Sequence, residues 1–374
     1  MMRFASRLPW GVLGALVLIL TIESRLHRLE PVHFSTVWVD DWRRTAQAAS
    51  TTARDAELLC FGDSAAKFGL VPSELEDATG LRTHSLAMNV GHALAAEILL
   101  DRALAAGARP RVVVLEAVPH LLAASPRCAV RLWPALLRLE QWHVPAIRSR
   151  DPRFVAELLV GRIFASVRAR FEIRESIIAA LGSRLPDSAY LLPILRRQWT
   201  ANRGAQLMSK RTTPLDPGAF RAELLPSAWS PDPVQAEALR RSIGRARSVG
   251  ARVVLLLPPF IPSVHERRRA AGLETSYERF IDRLTQEFPG LEVFDARDSC
   301  SDDDLHVDPI HLDVGGAIAL SRALGEWVAE PPTGAFDARG WGLPSGLRRG
   351  ASPGEVEDLE RSRIAIRDAR GADR

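Results

Sequence analysis

The 374-residue chain is poor in lysine, asparagine, tyrosine and cysteine, and each shortage excludes something. The three cysteines, Cys60, Cys128 and Cys300, are too far apart for a zinc-binding spacing and too few for a disulfide framework. Cys60 lies in an apolar run and reads as a core residue; a Cys128–Cys300 bridge is left open. Lys67 and Lys210 are the only lysines, so the net charge of +4 rests on arginines. They do not alternate with aromatics in a nucleic-acid-binding pattern, and no nucleic-acid partner is expected. There is no P-loop, no G-x-G-x-x-G and no H-E-x-x-H. The histidines form no metal-ligand constellation, so neither metal nor cofactor is expected.

What is present is enough for a packed core: 47% of residues are hydrophobic and 25% charged, ordinary for a globular protein. Arg3 and Arg7 precede an uncharged run, Leu8 to Ile22. It is shorter than the ~20 residues of a standard span, so a signal peptide competes. No small-x-small site follows closely, and Ala46-Gln47-Ala48 lies too far downstream, which favours an uncleaved membrane anchor over 1–22. Residues 23–55 read as a juxtamembrane stalk. Short apolar runs at 57–61, 82–88, 111–115, 252–257 and 291–294 read as buried strands, with helical patterns between them at 73–79, 93–106, 232–249 and 263–288. A last helix runs from Asp313 to Val328. Strand and helix in alternation predict an α/β domain over 56–330, a parallel sheet flanked by helices. Residues 119–230 break the rhythm and read as a mainly helical inserted cap. Residues 331–374, rich in Gly, Pro, Arg and Asp, read as a disordered tail.

Two motifs carry chemistry. Phe61-Gly62-Asp63-Ser64 ends the first strand, where parallel sheets place their sites. A serine there faces the crevice, and its amide at a helix start is a donor for an oxyanion. The bland alternative is that Asp63 or Ser64 only caps the next turn. Asp308-Pro309-Ile310-His311-Leu312 precedes the final helix. Its histidine can take a serine proton, and an Asp three residues before it can fix the tautomer. Asp303-Asp304-Leu305-His306 also reads D-x-x-H, but it sits in a run of aspartates and suits a solvated loop.

G-D-S after the first strand and D-x-x-H before the last helix, in that order, resemble the SGNH (GDSL-like) hydrolase superfamily. The stretch Gly62-Asp63-Ser64-Ala65-Ala66-Lys67-Phe68-Gly69-Leu70 is similar to membrane-anchored bacterial members, such as the D-alanyl-transfer and alginate O-acetylation proteins. The resemblance covers roughly 56–122 and 251–328. It implies a serine esterase or O-acyltransferase with Ser64 as nucleophile, His311 as base and Asp308 as its orienting carboxylate. It implies an acylated carbohydrate or other ester as substrate, envelope-assembly proteins as partners, and a tethered domain on the extracytoplasmic, periplasmic side. The family's oxyanion hole adds a glycine amide from a second block and an asparagine from a third. Gly91 in Ser85-Leu86-Ala87-Met88-Asn89-Val90-Gly91 suits the second block. The third block reads Glu116-Ala117-Val118-Pro119-His120 and holds no asparagine, so either Asn89 substitutes or the donor is missing. Glu116 and His120 end a strand at the crevice, and His92 could line the same pocket. The rival reading is a tethered SGNH-fold binding or assembly protein that has lost efficient chemistry.

Overall fold

The computed structural model describes residues 10–33, 36–210, 222–300, 305–331, 334, 336–344 and 346–348. Five parallel strands form one sheet: β1 (Leu58–Phe61), β2 (Thr83–Ser85), β3 (Val112–Glu116), β4 (Arg252–Leu257) and β5 (Glu292–Asp295), in the order β2-β1-β3-β4-β5. The register sets Cys60 beside Ser85 on one side and Val114 on the other. Side chains alternate between faces, as a two-sided sheet requires. Leu59, Phe61, Val113, Leu115, Val253 and Leu255 enter one core, and Leu58, Cys60, Val112, Val114, Val254 and Leu256 enter the other.

Helices cover both faces. On the first face α5 (Ala93–Ala105) packs against α13 (Pro233–Ser248), and the buried residues of α15 (Leu273–Glu287) join the same core. On the second, α4 (Pro72–Thr79) packs against α16 (Val314–Ala329). The helical pattern at 263–288 divides into α14 (Pro262–Ala270) and α15, because Gly272 adopts φ 70°, a left-handed turn that glycine tolerates at no steric cost. The chain leaves β1 for β2 on one side and then returns to β3 on the other. The crevice between the carboxyl ends of β1 and β3 is therefore the topological switch point, where such sheets hold ligands.

The insertion is helical, as its pattern predicts. It comprises α6 (Pro119–Leu122), α7 (Trp133–Leu136), α8 (His143–Ser149), α9 (Pro152–Ile163), α10 (Ala165–Arg168), α11 (Arg170–Leu181) and α12 (Asp187–Ala201). After α12 the chain runs along the edge of β2, where the Ser85 amide donates to the Arg203 carbonyl at 2.9 Å.

Three expectations change. Residues 10–33 form one helix, α1 (Trp10–His33), whose apolar part ends at Ile22. Among the described residues no helix is long and apolar enough to cross a membrane, so the anchor expected over 1–22 is unsupported. Thirteen helical residues from Trp10 to Ile22 span only ~20 Å, short of a ~30 Å hydrocarbon core. The stretch read as a stalk contains α2 (Val37–Ala48), with Trp42 and Thr45 fully buried, so it is part of the folded unit. The tail expected to be disordered is ordered in part. Asp295 donates its amide to the Gly342 carbonyl, Gly342 donates to Val293, each at 2.7 Å, and Trp341 is buried. Those bonds satisfy the outer edge of β5, which would otherwise be open. Residues 349–374 lie outside the described residues. None of the three cysteines is disulfide-bonded; Cys128 is exposed and Cys60 and Cys300 are buried.

Candidate active site

Ser64 is the first residue of α3 (Ser64–Gly69), which starts three residues past the end of β1. Asp63 caps that helix, its Oδ1 accepting from the Ala65 amide at 2.6 Å. This realises the capping alternative for Asp63 and leaves the Ser64 side chain at the mouth of the crevice. Across 247 residues of sequence, His311 arrives from the loop before α16, with Nε2 2.8 Å from Ser64 Oγ. His311 Nδ1 lies 2.6 Å from Asp308 Oδ2. A carboxylate there can only accept, so Nδ1 carries the proton and Nε2 is left to receive one from Ser64.

The loop is built to hold this arrangement. Asp308 Oδ1 accepts from the amides of Ile310 at 3.0 Å and His311 at 2.9 Å, closing a tight turn. Burial raises the Asp308 pKa, but the hydrogen bond and charge of His311, with those two amides, outweigh it and hold the carboxyl below its ordinary value. Phe68 of α3 meets the His311 ring edge-on at 5.1 Å. Asp313 then caps α16 through the Gly316 amide, which fixes the loop to the scaffold. His306, of the competing D-x-x-H, is buried on the far side of a small bridge to Leu312; Asp303 and Asp304 lie outside the described residues.

Behind the nucleophile turn lies a buried acid pair. Glu116 Oε2 accepts from the Asp63 amide at 2.7 Å. Burial, and then the charge of Asp63, push the Glu116 pKa well above its ordinary value, which favours its protonated form. His120 Nε2 stands 3.6 Å from Asp63 Oδ2, and burial lowers the pKa of this histidine. Gly62 is required here: a Cβ on it would fall 2.3 Å from Glu116 Oε2 and 2.7 Å from the Ala66 Cβ.

The expected oxyanion donors sit close by but are engaged elsewhere. Asn89 donates both its amide and its Nδ2 to Asp41 Oδ2, at 2.8 and 2.9 Å. Gly91 donates to the Met88 carbonyl at 2.8 Å. Its lack of a side chain serves packing, since a Cβ would lie 2.5 Å from the Gly62 carbonyl oxygen. With the amides of Asp63 and Ala65 taken by carboxylates, the Ser64 amide at the start of α3 is left as a donor in the turn. His92 is buried against Trp42 and Trp133 and, as expected, lines a small cavity with Gly62, Asp63, Gly91 and Glu116.

A partner missed in the sequence is Asp41 of α2. It binds Asn89 and also Lys67 of α3, whose Nζ lies 2.5 Å from Asp41 Oδ1, both side chains buried. Lys67 also donates to the Gly204 carbonyl at 3.3 Å. Nothing in the local pattern of 40–41 distinguishes these aspartates from a solvated helix start. Among the described residues no three His, Cys, Asp or Glu side chains gather as metal ligands. No family model and no curated protein matches the chain.

Proposed function

We propose that this protein is an SGNH-type serine ester hydrolase or O-acyltransferase working through an acyl-Ser64 intermediate. The observation that carries the reading is the continuous relay from Ser64 Oγ through His311 to Asp308, at 2.8 and 2.6 Å, at the switch point of a parallel sheet. His311 Nε2 takes the Ser64 proton as Oγ attacks the carbonyl carbon of an ester. The Ser64 amide donates to the developing oxyanion. The leaving alcohol departs with the proton from His311, and acyl-Ser64 remains. Water or a sugar hydroxyl then gives its proton to His311, attacks the acyl carbon and frees the serine. The acylated carbohydrate substrate, the envelope-assembly partners and the periplasmic, membrane-tethered setting rest on the motif resemblance and on the exposed apolar half of α1, from Trp10 to Ile22.

One observation favours the second reading, a binding or assembly protein of the same fold: Asn89 and Gly91 are both engaged away from Ser64. The loss of one oxyanion donor costs about 2.7–4 kcal/mol in other enzymes. Labelling by a fluorophosphonate separates the two. The full chain is expected to label, and Ser64→Ala and His311→Ala to label not at all. An unlabelled, folded wild-type protein would favour the binding reading.

A further inference from the structure

A cleft of about 470 Å³, mostly apolar, lies between the start of α2, the 128–132 segment, and helices α11 and α12. Val37, Trp38, Val130, Leu132, Phe171 and Leu191 form its walls. Trp38 and Phe171 at its mouth are 52% and 50% exposed, unusual for side chains of that size. Of the charged groups in the lining, Arg131 closes on Glu172 through two bonds, at 2.6 and 2.7 Å, and Glu175 stands beside them on α11. The rest of the cavity is in the size range of small-molecule sites and mostly apolar, which suits a hydrocarbon chain.

Val90 ties this cleft to the nucleophile. It lines the hollow and holds φ 57°, a conformation that β-branched residues rarely adopt. Such strain persists only where neighbours over-determine it, and here they do. Asn89 is bound to Asp41 on one side, and on the other Gly91 packs on the Gly62 carbonyl, two residues before Ser64. The Met88 amide donates to that same carbonyl at 3.1 Å.

We propose that this cleft holds the hydrocarbon chain of the ester that Ser64 cleaves or transfers, with Val90 as the wall nearest the nucleophile turn. The proposal rests on the serine-esterase reading for its kinetic consequence but not for the binding itself.

Two measurements on the full chain therefore test it separately. In the first, a photoreactive diazirine derivative of decanol is crosslinked to Ser64→Ala protein and the labelled peptides are mapped. Labels are expected on 36–39, 128–132 and 188–191, and Ser188→Trp, which fills the cleft, should remove them. Labels confined to α1, or unchanged in Ser188→Trp, would overturn the proposal. In the second, KM is measured for esters of rising acyl length. Each methylene that enters the cleft should lower KM about fourfold. Ser188→Trp should flatten the series while acetyl-ester turnover stays at the wild-type level. A flat wild-type series would overturn the substrate role. If Ser188→Trp fails to fold, Ser188→Leu is expected to give the same loss to a smaller degree, and an unaltered series there would likewise overturn it. If no ester of any length is turned over, the serine-esterase reading fails while the crosslinking result still decides whether the cleft takes a hydrocarbon.

Discussion

Glu116 shows how one buried side chain can hold the turn that carries Ser64. Its carboxyl accepts the Asp63 amide and lies buried beside the Asp63 charge, which with burial raises its pKa. Glu116→Gln keeps an acceptor for that amide and a donor toward Asp63, so thermal stability and fluorophosphonate labelling should both stay close to wild type. Glu116→Ala leaves the Asp63 amide without a partner, which costs about 1–3 kcal/mol, and Ser64 should label far more slowly. Equal behaviour of the two variants, read by thermal unfolding and labelling rate, would remove the positioning role. Residue chemistry of this kind was half legible. Ser64, His311 and Asp308 could be picked out as a set from type and order, and the fold brings the three within hydrogen-bond reach. The acid pair was not readable, because a strand-end glutamate looks the same whether it points to solvent or beneath a glycine. Nor could the sequence tell that Asn89, chosen as a donor because asparagine is scarce, is held by an aspartate 48 residues earlier.

The strands and most helices follow from apolar runs and their punctuation, since burial on both faces of a parallel sheet leaves continuous hydrophobic stretches. Elements whose fate depends on distant contacts did not follow. α2 carries Asp40, Asp41, Arg43 and Arg44 on either side of Trp42 and reads as polar, yet this tryptophan lies in the core with its Nε1 donating to the Asn89 carbonyl at 2.7 Å. The Gly342 segment reads as tail because its stabilisation comes from the open edge of β5. The Met88–Gly91 turn gives a prediction at this scale. Gly91→Ala preserves the amide but places a methyl 2.5 and 2.8 Å from two backbone oxygens, Gly62 and Met88, neither of which can rotate away. The variant should lose labelling at Ser64 and unfold at lower temperature. Full labelling would mean that the turn can part from the nucleophile without consequence.

For the molecule as a whole, acid should be the weak side. Burial lowers the pKa of His84 and of His92 to about 4. Between the ordinary histidine value of 6.5 and 4 the unfolded chain binds protons that the folded chain does not, so stability is full above that window and falls as pH drops through it. Each residue accounts for on the order of 3 kcal/mol across the window. Asp308, with its folded pKa lowered, adds a loss at still lower pH. Thermal melts from pH 7 to pH 4 should fall steadily, and His92→Gln should flatten the slope; a midpoint independent of pH would contradict the buried neutral state of these rings. The Lys67–Asp41 pair has a practical corollary for anyone trimming the gene. A fragment begun at residue 56, where the α/β pattern starts, keeps the buried ammonium of Lys67 and discards its counter-ion. Orphaning a buried charge in this way costs about 3–5 kcal/mol, a large share of an ordinary domain's stability. Such a fragment should be recovered mostly as insoluble protein, whereas one begun at residue 36 should be soluble, and a separately supplied peptide spanning 36–55 should rescue the shorter piece by complementation, as a detached subunit would.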